Sequence, residues 1–103
     1  MSITPSAFSG SCVISVGGTA QELAASSEVA TGGVIKNPLS AIQQNISQSE
    51  SLFVNFVATA TLAAGGTTIE LEPGVSISLP GATTVAVSVA AATAGHQFSA
   101  YKF

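Results

Sequence analysis

The chain has no arginine, no aspartate and no tryptophan, and it carries one histidine, one cysteine and two lysines in 103 residues. Each shortage removes a class of function. With Lys36 and Lys102 as the only cations, no basic patch exists for a phosphate backbone, whose binding is largely cation-driven, so no nucleic-acid partner is expected. Without aspartate a Ser-His-Asp triad cannot form, and no serine stands in the Gly-x-Ser-x-Gly elbow that a Ser-His-Glu version would use. Cys12 is alone, which rules out a disulfide within the chain and a thiolate cluster for a metal. It reads as a buried, inert thiol, as suits synthesis in a reducing cytosol.

Long apolar runs are missing too. The stretch Val85–Ala92 is interrupted by Ser88 and falls short of the ~18 residues of a membrane span. The first residues, Met1 to Phe8, lack the positive region of a secretory signal. The expectation is one soluble domain made in the cytoplasm, with no membrane partner.

The scarcest commodity is charge. Charged residues make up 7% of the chain and the formal net charge is −3, against about 25% charged residues in an ordinary domain. Charge normally keeps folded surfaces apart. A surface this neutral points to a protein covered by copies of itself or by a larger assembly.

What is present is strand grammar. Thr67–Glu72 alternates, with Ile69 and Leu71 on one face and Glu70 and Glu72 on the other. Val75–Leu79 alternates again after Pro73-Gly74. Two alternating runs about a Pro-Gly turn predict a hairpin with one wet face. Val85, Val87 and Val89 then share a face, and His96–Phe103 forms a last strand, so the second half predicts a β-meander. Upstream, Ser11–Val16 and Gly33–Lys36 read as short strands, the second ended by Asn37-Pro38. Ser51–Ala58 is apolar on both faces, as a central strand would be. Thr19–Glu22 has capping-box spacing, so residues 20–30 admit a helix, although strand plus loop is favoured. Ser40–Gln43 has the same spacing and reads as a loop or single turn. The sum is an all-β, single antiparallel β-sandwich, jelly-roll-like, of about seven or eight short strands. Residues 1–10 form an extended N-terminal arm and residues 11–103 the sandwich domain.

Chemistry-bearing residues are sparse. His96 is the sole histidine, so any metal or acid–base role must use it or a lone glutamate. It reads as an imidazole bonded to nearby backbone or solvent. Glu70 and Glu72 share a strand face at about 7 Å, a spacing at which paired carboxylates can cleave glycosides. Beside a turn they read as a solvated face. Calcium would need a denser set of oxygen ligands, and Asn45-Ile46-Ser47 is a glycosylation sequon only in a secreted eukaryotic protein. The glycine pairs at 17–18, 32–33 and 65–66 lack the residues of a phosphate loop and read as turns. No catalytic residue, cofactor or metal is expected, and the chain does not read as an enzyme.

Aromatics carry the interaction signal. Tyr101 and Phe103 fall on one face of the last strand, opposite Phe98 and Ala100, and an apolar pair there suits a subunit contact. Phe8, in a Pro/Ser/Gly-rich leader, suits an anchor on a neighbour.

The ordered motifs Gly17-Gly-Thr-Ala-Gln21, Asn37-Pro38, Leu52-Phe-Val-Asn-Phe56, Ile69-Glu-Leu-Glu-Pro-Gly74 and Ala92-Thr-Ala-Gly-His-Gln-Phe-Ser-Ala100 with Tyr101 resemble small virion proteins of tailed bacteriophages. These are capsid cement, decoration or head-fibre proteins. The resemblance covers residues 11–103. It implies a sandwich, often a jelly roll, that forms a homo-dimer or homo-trimer and stabilises a capsid by bridging subunits of the major capsid protein at the virion surface. The alternative is a carbohydrate- or receptor-binding module of a tail or fibre, for which Tyr101, Asn55 and Gln43-Gln44-Asn45 are the available side chains.

Overall fold

The computed structural model describes residues 6–26, 32–38, 50–79 and 86–103. Among these residues seven strands form an all-β sandwich: β1 (Gln21–Ala24), β2 (Gly33–Lys36), β3 (Leu52–Asn55), β4 (Ile69–Leu71), β5 (Ser76–Leu79), β6 (Val87–Ala90) and β7 (Ser99–Lys102). One sheet has the order β1-β6-β3-β4, the other β5-β2-β7, and every pairing is antiparallel. No helix occurs among the described residues, and none is long and apolar enough to cross a membrane.

The pairing is nested. β3 pairs with β4, β2 with β5 and β1 with β6, so the chain is one long antiparallel ribbon rolled up on itself, the jelly-roll arrangement. The ribbon continues outward. Val13 bridges Gln97, Ile14 exchanges backbone bonds with Gly95 and His96, and Ser6 bridges Lys102. Lateral pairs β3·β6 and β2·β7 then close the roll into two sheets.

This nesting corrects two expectations. Pro73-Gly74 does make a tight turn, closed by the Val75 amide donating to the Glu72 carbonyl at 2.9 Å. Gly74 takes φ 87°, the left-handed value required at the third position of a type II turn. That turn does not match strand twist as the primed hairpin turns do, so β4 and β5 part into different sheets instead of pairing. The predicted meander fails with it, because β5, β6 and β7 each change sheet in turn. One boundary also shifts: the segment 11–16 is not a full strand but the isolated bridge at Val13 with the backbone bonds of Cys12 and Ile14 beside it. Residues 21–24 form a strand, the reading favoured over a helix. Gly33–Lys36 is a strand over the expected span, whereas Ser40–Gln43 lies outside the described residues.

The core lies between the sheets. Leu52 and Val54 of β3, Ile35 of β2, Leu23 of β1, Leu71 of β4, Leu79 of β5, Val87 and Val89 of β6, and Phe98 are buried together with Ile14. Full burial of each such side chain contributes about 1.5–3 kcal/mol. The strand alternation read from sequence holds in β3 and β5, whose inner residues are apolar and outer ones mostly polar.

Candidate functional site

Residues 6–10 of the expected arm lie on the sandwich. The Ser6 amide donates to the Lys102 carbonyl at 2.7 Å and the Lys102 amide returns to Ser6 at 2.8 Å. The Gly10 amide donates to Leu23 at 2.8 Å. Between these anchors Phe8 turns inward, is 6% exposed and belongs to the core cluster. Gly33 makes room for it: a Cβ there would stand 3.1 Å from the ring and 2.6 Å from the Tyr101 carbonyl. The reading of Phe8 as an anchor on a neighbour is therefore corrected. The leader's small residues let its backbone follow the sheet edge closely, and the one large side chain fills the domain's own interior.

Tyr101 and Phe103 do the opposite. Each is 41% exposed, and their rings meet edge to face with centroids 5.6 Å apart. Register places Tyr101 beside Val34, and Val34 beside Ser78. The next row is Ser99, Lys36 and Ser76. The outer face of this sheet is thus hydroxyl-rich and aromatic at one end, with Lys36 its only charge among the described residues.

The other concentration of chemistry is buried. His96 is fully enclosed, and its Nε2 lies 2.8 Å from Asn37 Oδ1 while its Nδ1 lies 3.3 Å from Glu50 Oε2. Asn37 Nδ2 donates to the carbonyls of Glu50 (3.0 Å) and Leu71 (2.9 Å). Both amide hydrogens are spent on carbonyls, so Oδ1 faces the histidine and Nε2 carries the hydrogen. Nδ1 faces Glu50, whose Oε2 also accepts the Thr93 amide at 3.0 Å. The Asn37 backbone completes the knot: its amide donates to Val75 at 3.0 Å and its carbonyl accepts from Gly74 at 2.7 Å. One asparagine at the end of β2 thereby holds β4 and β5 apart where the type II turn splits them.

His96 and Asn37 are fully buried, and of the three side chains only that of Glu50 reaches the surface. The imidazole partners are side chains rather than the backbone or solvent expected from sequence, because residues 37, 50 and 96 lie far apart in the chain and only the rolled ribbon joins them. The motif Asn37-Pro38 was legible as a strand stop, yet nothing local marked Asn37 as a partner of His96. Glu70 and Glu72 are exposed, as expected, and Glu70 accepts from Ser51 Oγ at 2.5 Å. Among the described residues no group of three or more His, Cys, Asp or Glu side chains is placed to hold a metal.

Asn55, a possible platform residue for a glycan, is buried at the far end of β3. Its Oδ1 accepts the amides of Val57 and Ala58 at 2.8 Å each, and its Nδ2 donates to the hydroxyls of Thr67 (2.9 Å) and Thr68 (3.1 Å). With the Ala60 amide donating to Ser88 Oγ at 3.0 Å, these bonds pin the 56–68 loop to the outside of the four-stranded sheet. Gln43-Gln44-Asn45 lie outside the described residues. Set against known protein families, curated proteins and solved structures, the chain matches none of them.

Proposed function

We propose that the protein is a structural, non-enzymatic assembly part of the capsid-cement type that its motifs resemble: a sandwich that sits on a tailed-phage shell and bridges neighbouring major-capsid subunits. The observation that supports this reading is the exposed Tyr101–Phe103 pair on a nearly uncharged sheet face. An apolar and hydroxyl surface costs little to strip of water compared with buried ions. Covering the exposed part of the two rings is worth about 4 kcal/mol gross at ~25 cal/mol per Å², before the costs of association.

The mechanism is passive. A protein that binds the assembled shell and not its loose subunits stabilises the shell by mass action. Many symmetric copies add avidity without strong single contacts. The test mixes the purified protein with expanded shells of a phage that encodes it and sediments them. Binding that saturates at a fixed number of copies per capsid subunit supports the proposal. A Tyr101→Ser/Phe103→Ser variant of unchanged fold should then bind at least ten-fold more weakly. Absence of binding by the unaltered protein would refute it.

A further inference from the structure

The four sheet edges are not alike. The N-terminal segment runs along β7 at Ser6 and along β1 at Gly10. Near β1 it is also clipped by the Gln21 side chain, which accepts the Ser15 amide and donates to the Val13 carbonyl, each at 2.9 Å. β4 is three residues long, carries Glu70, and is followed by Glu72. Covering, shortness and charge are the usual protections of an edge against pairing with another chain. β5 is hardly longer, at four residues, but among the described residues it has neither cover nor charge. Its four residues, Ser76 to Leu79, include no charge and no proline, and their ladder with β2 is regular over four pairs.

The neighbours fix which backbone groups of β5 face outward. Lys102 exchanges its amide and carbonyl with Ser6, so it points away from β2, and Tyr101 and Val34 exchange the bonds between β7 and β2. The bonds between β2 and β5 then fall to Gly33 with Leu79 and Ile35 with Ile77. The Val75 carbonyl, which accepts from Asn37, has the same phase. Ser76 and Ser78 therefore aim their N–H and C=O groups out of the sandwich. Among the described residues nothing bonds to those groups.

We propose that β5 pairs antiparallel with β5 of a second copy across a twofold axis through Ile77. In that register Ser76 of each copy exchanges two backbone bonds with Ser78 of the other, four bonds in all. Ile77 meets its own counterpart as a non-hydrogen-bonded pair, with Cα atoms about 4.5 Å apart. Val75, 41% exposed, comes opposite Leu79 of the partner copy on the same face. The apolar side chains that this edge leaves half-covered are covered by the pairing, and the outer face gains serine–serine pairs. The same operation on β4 would set Glu70 against Glu70, a destabilising like-charge pair, which singles out β5. The two three-stranded sheets become one of six, in the order β7-β2-β5-β5-β2-β7. The pairing needs no shell and stands apart from the capsid reading: either can fail alone.

Light scattering across a dilution series up to ~1 mM should show a reversible species of twice the 10.1 kDa chain mass. Ser78→Pro removes only an outward amide, so the β2 ladder keeps every bond. That variant should be monomeric throughout, with the far-ultraviolet spectrum of the parent and the Tm that the parent has at dilutions where it too is monomeric. In a Cys12→Ala background, Ile77→Cys should cross-link to dimers under mild oxidation, because the Cα separation suits a disulfide. Val57→Cys, at an exposed site away from β5, should stay monomeric. A monomer at every concentration, a trimer, a dimer unaffected by Ser78→Pro, or no cross-link at Ile77→Cys would each overturn the proposal.

Discussion

Replacing Asn37 by alanine tests the claim that its buried amide ties together the segments that meet at the end of β2. The side chain is fully buried and makes three bonds, to the carbonyls of Glu50 and Leu71 and to His96 Nε2. Alanine takes this partner from two buried groups, the Leu71 carbonyl and His96 Nε2, and from the part-buried Glu50 carbonyl. A buried polar group left without a partner costs about 1–3 kcal/mol. Water entering the vacated space would recover part of this, so a net loss of about 3–5 kcal/mol is expected. Native domains hold only ~5–15 kcal/mol in total, and the loss corresponds to a fall in Tm of roughly 15–25 °C for a chain of this size. Urea unfolding followed by circular dichroism gives the free energy directly. A double-mutant cycle with His96→Ala sharpens the result: the two sites share a bond, so the double variant should lose clearly less than the two single losses added together. A loss under about 1 kcal/mol for Asn37→Ala, or strict additivity with His96→Ala, would refute the network as a stabilising unit.

Phe8→Ala removes a core side chain from a segment that reads as a loose leader. A loss of about 3–5 kcal/mol in urea unfolding is expected, and a change within about 0.5 kcal/mol would return Phe8 to the surface. Cys12 is half-buried, and burial pushes its thiol above the ordinary value, offset in part by a hydrogen bond with the Ala100 backbone. The folded protein should react with iodoacetamide at pH 8 more slowly than the urea-unfolded chain; equal rates would contradict the burial. Because the thiol pKa is raised on folding, its contribution to stability is complete below the unfolded value of about 8.5 and is lost as pH rises past it. Stability measured from pH 8 to 10 should fall, and less steeply in Cys12→Ala.

Local pattern carried the fold class but not the topology. Strand positions followed from alternation that extends over only two to five residues: Ile77 and Leu79 inward with Ser76 and Ser78 outward, Leu52 and Val54 inward. Such a pattern says which face is buried and nothing about which strand lies alongside. Pro73-Gly74 was recognisable as a turn, and the alternation on either side of it reads as a hairpin. Proline before glycine also favours type II geometry, which splays the flanking strands, and that is what separates β4 from β5. Tyr101 was legible as an outward residue because it alternates with Ala100 in a strand. Phe8 was not legible, since no periodicity surrounds it and its burial depends on the space left at Gly33. The His96 cluster was equally hidden, its three members being drawn from separate arms of the ribbon.

The scarcity of charge and the rolled ribbon are two sides of one solution. A sandwich ordinarily guards its edges with lysines, prolines or bulges, and this chain has few charges to spend. Nesting the first segment against the last puts residues 6–14 beside two exposed edges, so backbone does the work that side-chain charge does elsewhere. Inside, the same economy holds. Asn37, Asn55, Thr68, Ser88 and His96 are the buried polar side chains among the described residues. Amides and hydroxyls cost less to desolvate than ions provided that each finds a partner. These find theirs at the two ends of β3, where the chain enters and leaves the centre of the sheet. A neutral exterior is then compatible with a single well-defined fold, because specificity comes from hydrogen-bond geometry at those ends rather than from charge pairing on the surface. The low charge on this chain therefore leaves its fold fully specified, and among the described residues the edge that neither the ribbon nor an acidic side chain covers is β5.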